Sequence, residues 1–93
     1  MSSAPITRDL TIINVKGLHA RASAKFVECV ERHDAQAQVT LDGMTVSGDS
    51  IMGLLMLTAE RGKTISVTTS GAEAAQLADA LQALIADCFG EGM

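Results

Sequence analysis

The sequence has no tryptophan and no tyrosine, and only two of its 93 residues are phenylalanine. Proteins that bind nucleic acid commonly stack bases on aromatic side chains and attract the phosphate backbone with a basic face. This chain has few aromatic side chains, and its formal net charge of -4 argues against a basic face. We therefore expect no nucleic-acid partner.

Long apolar runs are also missing. The longest, IMGLLML, is far shorter than the ~20 residues that a helix needs to span a bilayer. The start of the chain, MSSAPITRDL, has no apolar stretch of the kind found in signal peptides. These features predict a cytoplasmic protein with no segment inserted in the membrane.

The two cysteines, Cys29 and Cys88, lack the CxxC spacing of redox-active or zinc-binding pairs. Each lies on a predicted helix face beside apolar residues, which favours buried, reduced thiols over a disulfide. A metal site that used both cysteines and both histidines would have to join distant segments. We expect no metal and no cofactor.

What the chain does contain is 47% hydrophobic residues, almost all of them aliphatic. Its length fits one domain, which we place at residues 1–93, with an ordered core at about 8–89. No linker, repeat or low-complexity segment interrupts the sequence, and only its two ends, MSSAPITR and GEGM, look loose.

Alternating hydrophobicity predicts four strands. In chain order they are LTIINV, from Leu10 to Val15, and then AQVTL, MTVS and TISVT. Leu10 and Ile12 lie on one face of the first strand. The dipeptide Asp42-Gly43 separates the second and third strands, and between alternating segments it is a strong signal for a hairpin.

Helical spacing predicts three helices. The first follows His19 in ARASAKFVECVERH, and the second is the short segment IMGLLML, which begins after Ser50 and is expected to stop near Gly62. The third begins behind a capping-box pattern formed by Ser70 and Glu73. Its apolar stripe contains Ala74, Leu77, Ala78, Leu81, Leu84, Ile85 and Cys88.

The resulting order of elements is βαββαβα. Alternation in each strand indicates that one face of the sheet is buried and the other is open to water. We therefore predict an α+β fold, an open-faced sandwich in which a four-stranded antiparallel sheet carries the helices on one face.

His19 stands out because Lys16, Arg21 and Lys25 lie close to it in an otherwise acidic chain. It follows a tight turn and begins a helix, where unpaired N–H groups and the helix dipole favour an anion. A neutral imidazole is a nucleophile near pH 7, and Arg21 can hold phosphoryl oxygens through paired donors. The spacing alone also permits a simpler interpretation, a polar residue at a helix start.

The second histidine, His33, lies at the end of the first predicted helix, among acidic residues and without a glycine-led turn before it. There a histidine is a favourable partner for the negative end of the helix dipole. We predict no chemistry at His33.

The motifs GLHARASAKFV, GDSIMGLLML and GKTISV, with the Asp-Gly hairpin before the second, resemble those of the HPr family. Members of this family are the histidine-containing phosphocarriers of the phosphoenolpyruvate-dependent phosphotransferase system. The resemblance extends from about Leu10 to Phe89, and the combination of GLHAR with SIMGL is specific.

The resemblance implies that Enzyme I, charged by phosphoenolpyruvate, phosphorylates His19 on Nδ1, and that His19 passes the group to an EIIA-type protein. It further implies that Arg21 stabilises the phosphoryl group and that Ser50 is modified by HPr kinase/phosphorylase in some bacteria. It implies a monomer that docks its partners through Ala20, Ile51, Met52 and Leu55.

Three departures from the family pattern have consequences. Ala22 replaces a proline that usually presets the first turn of the helix, although alanine is itself an excellent helix residue. Asp49 stands where many members have a small or basic residue, which affects recognition of Ser50 by a kinase. The pair Met52 and Gly53, in an almost uncharged helix, leaves the choice of EIIA partner open.

Ser50 and the segment after it each have a structural interpretation beside the functional one. Serine is a favoured N-cap, so its presence at Ser50 does not by itself indicate regulation. The run IMGLLML can belong to the core, but a short helix on a one-sided sandwich cannot bury seven apolar residues. We predict that part of the run is exposed as a docking surface.

The leading functional hypothesis is a phosphoryl carrier that is no self-sufficient catalyst, because the sequence has no nucleotide-binding motif and no second catalytic group. An alternative is a regulatory module that docks on transcription factors or kinases without carrying phosphate. A third is a small-molecule-binding regulatory domain, which gives no reason for the basic residues around His19.

Overall fold

The structure, a computed structural model, describes residues 4–91. Its elements follow the predicted order βαββαβα, and a short 3₁₀ helix is added at the end. The strands are β1 (Ile6–Thr11), β2 (Gln36–Leu41), β3 (Met44–Ser47) and β4 (Thr64–Ser70). The helices are α1 (Ala20–Glu31), α2 (Ile51–Met56), α3 (Ala74–Ala86) and the 3₁₀ helix Cys88–Gly90.

The four strands form one antiparallel sheet in the order β1-β4-β2-β3. Residues on one face are buried, whereas the other face carries threonine pairs whose hydroxyls are hydrogen-bonded across the strands. Because α3 packs on β1 and β4 while α1 packs on α2 and α3, the helices leave that second face open. The predicted α+β open-faced sandwich is confirmed.

The core lies between the sheet and the helices. Its largest fully buried apolar side chains come from every layer of the sandwich and from the segments between the layers. They are Phe26, Phe89, Ile12, Leu54, Ile65, Leu77, Leu81, Val39 and Val67.

The hairpin between β2 and β3 has the predicted turn. Asp42 and Gly43 have φ angles of 51° and 80°, as a two-residue turn of type I′ requires. The turn sets the register in which Leu41 pairs with Met44. The sequence therefore specified this connection locally.

The first strand is displaced from its predicted position. It occupies Ile6–Thr11 rather than residues 10–15, so part of the segment expected to be loose is paired with β4. Ile12 is buried as predicted, but it lies beyond the strand. β-Branched residues misled the prediction, because the chain after Thr11 leaves the sheet to build the turn before His19.

The capping box predicted for the third helix is wrong. Ser70 is the last residue of β4 and pairs with Gln36, so it is not available as a cap. Glu73 occupies the N-cap position, and its Oε1 accepts a hydrogen bond of 2.6 Å from the backbone N–H of Asp34. Strand pairing thus took precedence over the local capping pattern.

The end of α2, the burial of Cys29 and the position of Cys88 also differ from expectation. Helix α2 stops at Met56 rather than near Gly62, where the chain instead turns with a φ of 93°. Cys29 is only partly buried, contrary to the prediction. Cys88 is buried, as predicted, but it lies in the 3₁₀ helix after α3 and not on α3 itself. The two thiols are not joined in a disulfide.

Candidate functional site

His19 is the N-cap of α1, between a tight turn and the first helical residue. Its backbone C=O accepts the first intrahelical bond, from Ser23 N–H at 2.8 Å. Its Nδ1 accepts a hydrogen bond from the backbone N–H of Arg21 at 3.2 Å. One ring nitrogen therefore lies against the amide groups that begin the helix, where an anion is favoured. The side chain is 25% exposed.

Gly17 makes this position possible. Its φ of 66° is in the region that favours glycine, and a Cβ built there would lie 2.6 Å from the backbone oxygen of Ala59. The next residue, Leu18, donates its N–H to that oxygen at 2.9 Å and is buried. The turn is thus held against the loop that contains Ala59, and this contact fixes the position of His19 at the start of the helix.

The other ring nitrogen of His19, Nε2, is hydrogen-bonded to Oε2 of Glu91. Partial burial opposes ionisation of Glu91, but hydrogen bonds from Asn14 and His19 and the charges of His19 and Arg21 outweigh it. The pKa of Glu91 is therefore lowered, and the group is a carboxylate at neutral pH. A carboxylate only accepts hydrogen bonds, so Nε2 carries the proton and Nδ1 the lone pair.

Asn14 connects the turn to Glu91. Its Nδ2 donates to the carbonyl of Gly17 at 2.8 Å and to Oε1 of Glu91 at 3.0 Å. The side chain is completely buried, and its Oδ1 has no hydrogen-bond partner among the described residues.

The basic residues near His19 divide into two groups. Lys16 and Arg21 line a pocket of about 370 Å³ with Glu91, the residue that is hydrogen-bonded to His19. Lys25 has a different partner, because its Nζ donates to the carbonyl of Phe89 at 2.5 Å. The structure therefore brings two of the three predicted basic residues to the pocket that Glu91 lines, while the third binds the 3₁₀ helix.

Ser50 is the N-cap of α2, as its structural interpretation predicts. Its Oγ accepts a hydrogen bond from Gly53 N–H at 3.0 Å. A Cβ added to Gly53 would lie 3.0 Å from Val46 Cβ and 3.2 Å from that Oγ, so glycine keeps this turn close to β3. The carboxylate of Asp49 accepts from Ser47 Oγ at 2.5 Å.

The predicted docking residues are mostly exposed. Ile51 is 40% and Met52 70% exposed, whereas Leu55 is partly buried. Ala20 is exposed at the start of α1. Met56, which the sequence did not single out, is 61% exposed. Part of the run IMGLLML is therefore an apolar surface, as predicted, while Leu54 belongs to the core.

The remaining sequence candidates form no second site. His33 Nδ1 is hydrogen-bonded to the carbonyl of Cys29, one turn earlier at the end of α1, at 2.7 Å. Within residues 4–91, no cluster of three or more potential metal ligands is found. The same part of the chain contains no helix long and apolar enough to cross a membrane.

Sequence reasoning missed Asn14 and Glu91. The strand predicted at residues 10–15 contains Asn14, and the segment GEGM, expected to be loose, contains Glu91. Nothing in the local sequence indicates that a residue 72 positions after His19 contacts its ring. A polar residue within an apolar run, as at Asn14, was the one available signal.

Comparisons with known proteins identify similar chains. A family described as "PTS HPr component phosphorylation site" matches residues 6–87. A phosphocarrier protein HPr from Cupriavidus necator is 46% identical over 94% of this chain and 98% of the relative. An HPr structure from Thermoanaerobacter tengcongensis has a TM-score of 0.87 at 32% identity, covering 98% of this chain and 100% of that one. An HPr structure from Bacillus anthracis has a TM-score of 0.85 at 34% identity, covering 89% and 99%.

Proposed function

Because the chain belongs to the HPr family, the phosphocarriers of the phosphotransferase system, we propose that it carries a phosphoryl group on His19. Proteins of this family are carriers and not catalysts in their own right. The observation that supports His19 is the position of its Nδ1, which accepts a hydrogen bond from the backbone N–H of Arg21 in the first turn of α1.

The reaction needs only the imidazole and the groups around it. The lone pair of Nδ1 forms a bond to phosphorus while the bond between phosphorus and the donor breaks, and the electron pair of that bond leaves with the donor. The N–H of Arg21, released from Nδ1, then points at the phosphoryl oxygens, and the helix dipole favours their charge. The phosphoramidate remains reactive enough to be passed on.

Arg21 and Lys16 supply positive charge where charge develops during transfer. Both line the pocket that Glu91, the partner of His19, also lines, and the side chain of Arg21 is exposed. A guanidinium can bind two phosphoryl oxygens at once, whereas the Lys16 ammonium acts as a point charge. We assign Arg21 to stabilisation of the phosphoryl group and Lys16 to the local field.

Partners approach a surface that combines this site with apolar side chains. We propose Enzyme I as the donor and an EIIA-type protein as the acceptor, both docking on Ala20, Ile51, Met52 and Leu55. Large exposed methionine and isoleucine side chains gain hydrophobic free energy when a partner covers them. Met56, more exposed than Ile51 or Leu55, extends the same helix and is added to this surface.

Ser50 offers a place for regulation by a kinase of the HPr kinase/phosphorylase type. A phosphate there adds a charge of about -1.5 to -2 beside Ile51 and Met52. A partner that covers these apolar side chains would have to desolvate that charge, which weakens docking. Asp49 already contributes one negative charge nearby, so the added effect is reduced.

We further propose that the chain acts in the cytoplasm as a monomeric single domain. The core joins residues from β1 through the 3₁₀ helix, with no element left outside it in the part of the chain that the structure describes. A relay protein that meets two partners through one surface needs that surface free, which a monomer provides.

The test is a phosphotransfer assay. The purified chain is incubated with phosphoenolpyruvate and Enzyme I, the label is located by mass spectrometry and ³¹P NMR, and EIIA proteins of the same cell are then added. We expect acid-labile phosphate on Nδ1 of His19 and its loss to one of the EIIA proteins. No label, or label on another residue, would contradict the proposal.

The regulatory module that docks without phosphate is the second candidate, because the exposed surface at Ile51 and Met52 serves it equally well. It differs in needing no nucleophile. Binding to a regulator at full strength by a chain that Enzyme I does not label would favour it over the carrier.

A further inference from the structure

Glu91 is the least expected component of the site. Both of its carboxylate oxygens are used, since Oε1 accepts from Asn14 and Oε2 from His19. Its side chain is only 13% exposed, less than that of the histidine it contacts. A carboxylate so covered by protein is stable only when paired, and here both pairs are made with residues of the turn before α1 and with its cap.

The chain reaches this position through an unusual turn. Cys88, Phe89 and Gly90 have φ angles of 52°, 54° and 75°, and the first two are not glycine. A residue other than glycine keeps a positive φ angle only where the surrounding structure imposes it, and residues with this conformation cluster at functional sites. Phe89 is fully buried, and Lys25 donates to its carbonyl, so the turn is fastened on both sides.

The side-chain NH₂ of Asn14 makes hydrogen bonds, whereas its side-chain oxygen makes none among the described residues. Its Nδ2 contacts Gly17 and Glu91, while the buried Oδ1 has no hydrogen-bond partner among residues 4–91. Rotating the amide would place its oxygen against two other oxygens, so the observed orientation is the one the site allows. It therefore presents an N–H to Oε1 of Glu91 and fixes the direction of the carboxylate.

We propose that Glu91 is a positioning residue for phosphoryl transfer, which holds the proton on Nε2 of His19 and thereby keeps the Nδ1 lone pair directed at the incoming group. This inference rests on the proposed function of His19. Glu91 contacts the nitrogen that does not react, so it acts through the imidazole and never touches phosphorus.

The same contact stabilises the charge that transfer creates. When the Nδ1 lone pair bonds to phosphorus, the proton stays on Nε2 and the ring becomes a phosphorylated imidazolium. A carboxylate at Nε2 favours that cation, as the aspartate does in a serine protease triad. On transfer to the acceptor, the N–P electron pair returns to Nδ1 and the ring is neutral again, with its proton unmoved.

A glutamine at this position gives a sharp test. The donor of Asn14 would attract the glutamine oxygen, which leaves the glutamine NH₂ facing Nε2. An NH₂ group needs an acceptor, so Nε2 would lose its proton and Nδ1 would gain one, directed at the N–H of Arg21. We expect Glu91→Gln to slow transfer at least as much as Glu91→Ala.

The experiment measures the tautomer and the rate separately. The ¹⁵N resonances of His19 in the unphosphorylated protein report which nitrogen carries the proton, and rapid-quench assays report transfer from Enzyme I. We expect the wild type to show a protonated Nε2 and Glu91→Gln to shift toward a protonated Nδ1. With Glu91→Gln as its protein substrate, Enzyme I should show a kcat that is lower by roughly tenfold to a hundredfold, with little change in KM.

Asp87→Asn is the matched control, because it removes one charge from the same turn at an exposed residue that does not contact His19. We expect it to leave both the resonances and the rate unchanged. If Glu91→Gln and Glu91→Ala transfer at the wild-type rate, the positioning role is overturned, whether or not the tautomer changes. If wild-type His19 is not labelled at all, the proposed function is contradicted. The ¹⁵N resonances then still test whether Glu91 holds the proton on Nε2.

Discussion

The two histidines of the chain lie at opposite ends of the same helix, and they are used differently. His19 caps the start of α1, with Nδ1 toward the helix amides and Nε2 on Glu91. His33 follows the end of α1, with Nδ1 on the carbonyl of Cys29. A helix start presents donors and favours an anion, whereas a helix end presents acceptors and favours a cation. Each histidine is therefore bonded to the helix end beside it, but only His19 lies where the phosphoryl group we propose would be favoured.

The largest expected difference is in the labelling itself. His19→Ala should lose all acid-labile phosphate from Enzyme I, because no other described imidazole lies at a helix start. His33→Ala, the matched control, should be labelled like the wild type. Both variants should remain folded by circular dichroism. Equal labelling of the two variants would erase the distinction between the helix ends.

A smaller effect is expected for the arginines at the two ends. Arg21→Ala removes a guanidinium beside His19, and we expect transfer to slow by about tenfold to a hundredfold. Arg32→Ala removes an exposed guanidinium that lies 3.7 Å from Glu28 at the far end. It should have no effect on transfer. Single-turnover rates would decide, and an unchanged rate in Arg21→Ala would remove its assigned role.

The start of α2 extends the comparison to a second helix. Phosphorylation of Ser50 should weaken binding of Enzyme I by roughly tenfold or more, because the charge lies beside apolar side chains that a partner covers. The thermal midpoint should hardly change, since a helix start tolerates a phosphate.

Ser50→Ala separates the charge from the cap. It removes the hydrogen bond to Gly53 N–H and should cost about 1 kcal/mol of stability while leaving affinity intact. Calorimetry of both proteins with Enzyme I provides the measurement. Unchanged affinity for Enzyme I after phosphorylation would refute the proposal that partners dock on this surface. A large decrease in the thermal midpoint would mean that the phosphate unfolds the helix.

The smallest expected effect concerns Cys29, near the end of α1 that carries no chemistry. Burial raises the pKa of its thiol, and the charge of Arg32 offsets this only in part. The thiol of the unfolded chain ionises first, near pH ~8.5, so ionisation favours unfolding above that value. Stability should therefore be unaffected below pH ~8.5 and fall as the pH rises toward the raised pKa of the folded thiol.

Cys29→Ser removes this thiol and should make the alkaline loss of stability smaller. Urea titrations at several pH values measure it. Identical alkaline losses in the variant and the wild type would show that other groups account for the effect.

Patterns confined to one segment predicted the structure well. The hairpin at Asp42 and Gly43, the cap at Ser50 and the start of α1 after His19 all depend on residues a few positions apart. The predictions that failed had a distant competitor. Ser70 pairs with Gln36 instead of capping α3, and the residues after Thr11 leave the sheet because the turn before His19 needs them.

The sequence by itself determined the order of the elements, the open face of the sheet and the placement of His19 at a helix start, because periodicity and turn chemistry act locally. Only the tertiary structure decided which nitrogen of His19 carries the proton. That depends on Glu91, which reaches the ring through a left-handed turn at Cys88, Phe89 and Gly90. The turn is held by burial of Phe89 in a core built from the whole chain, and no local pattern encodes such a contact.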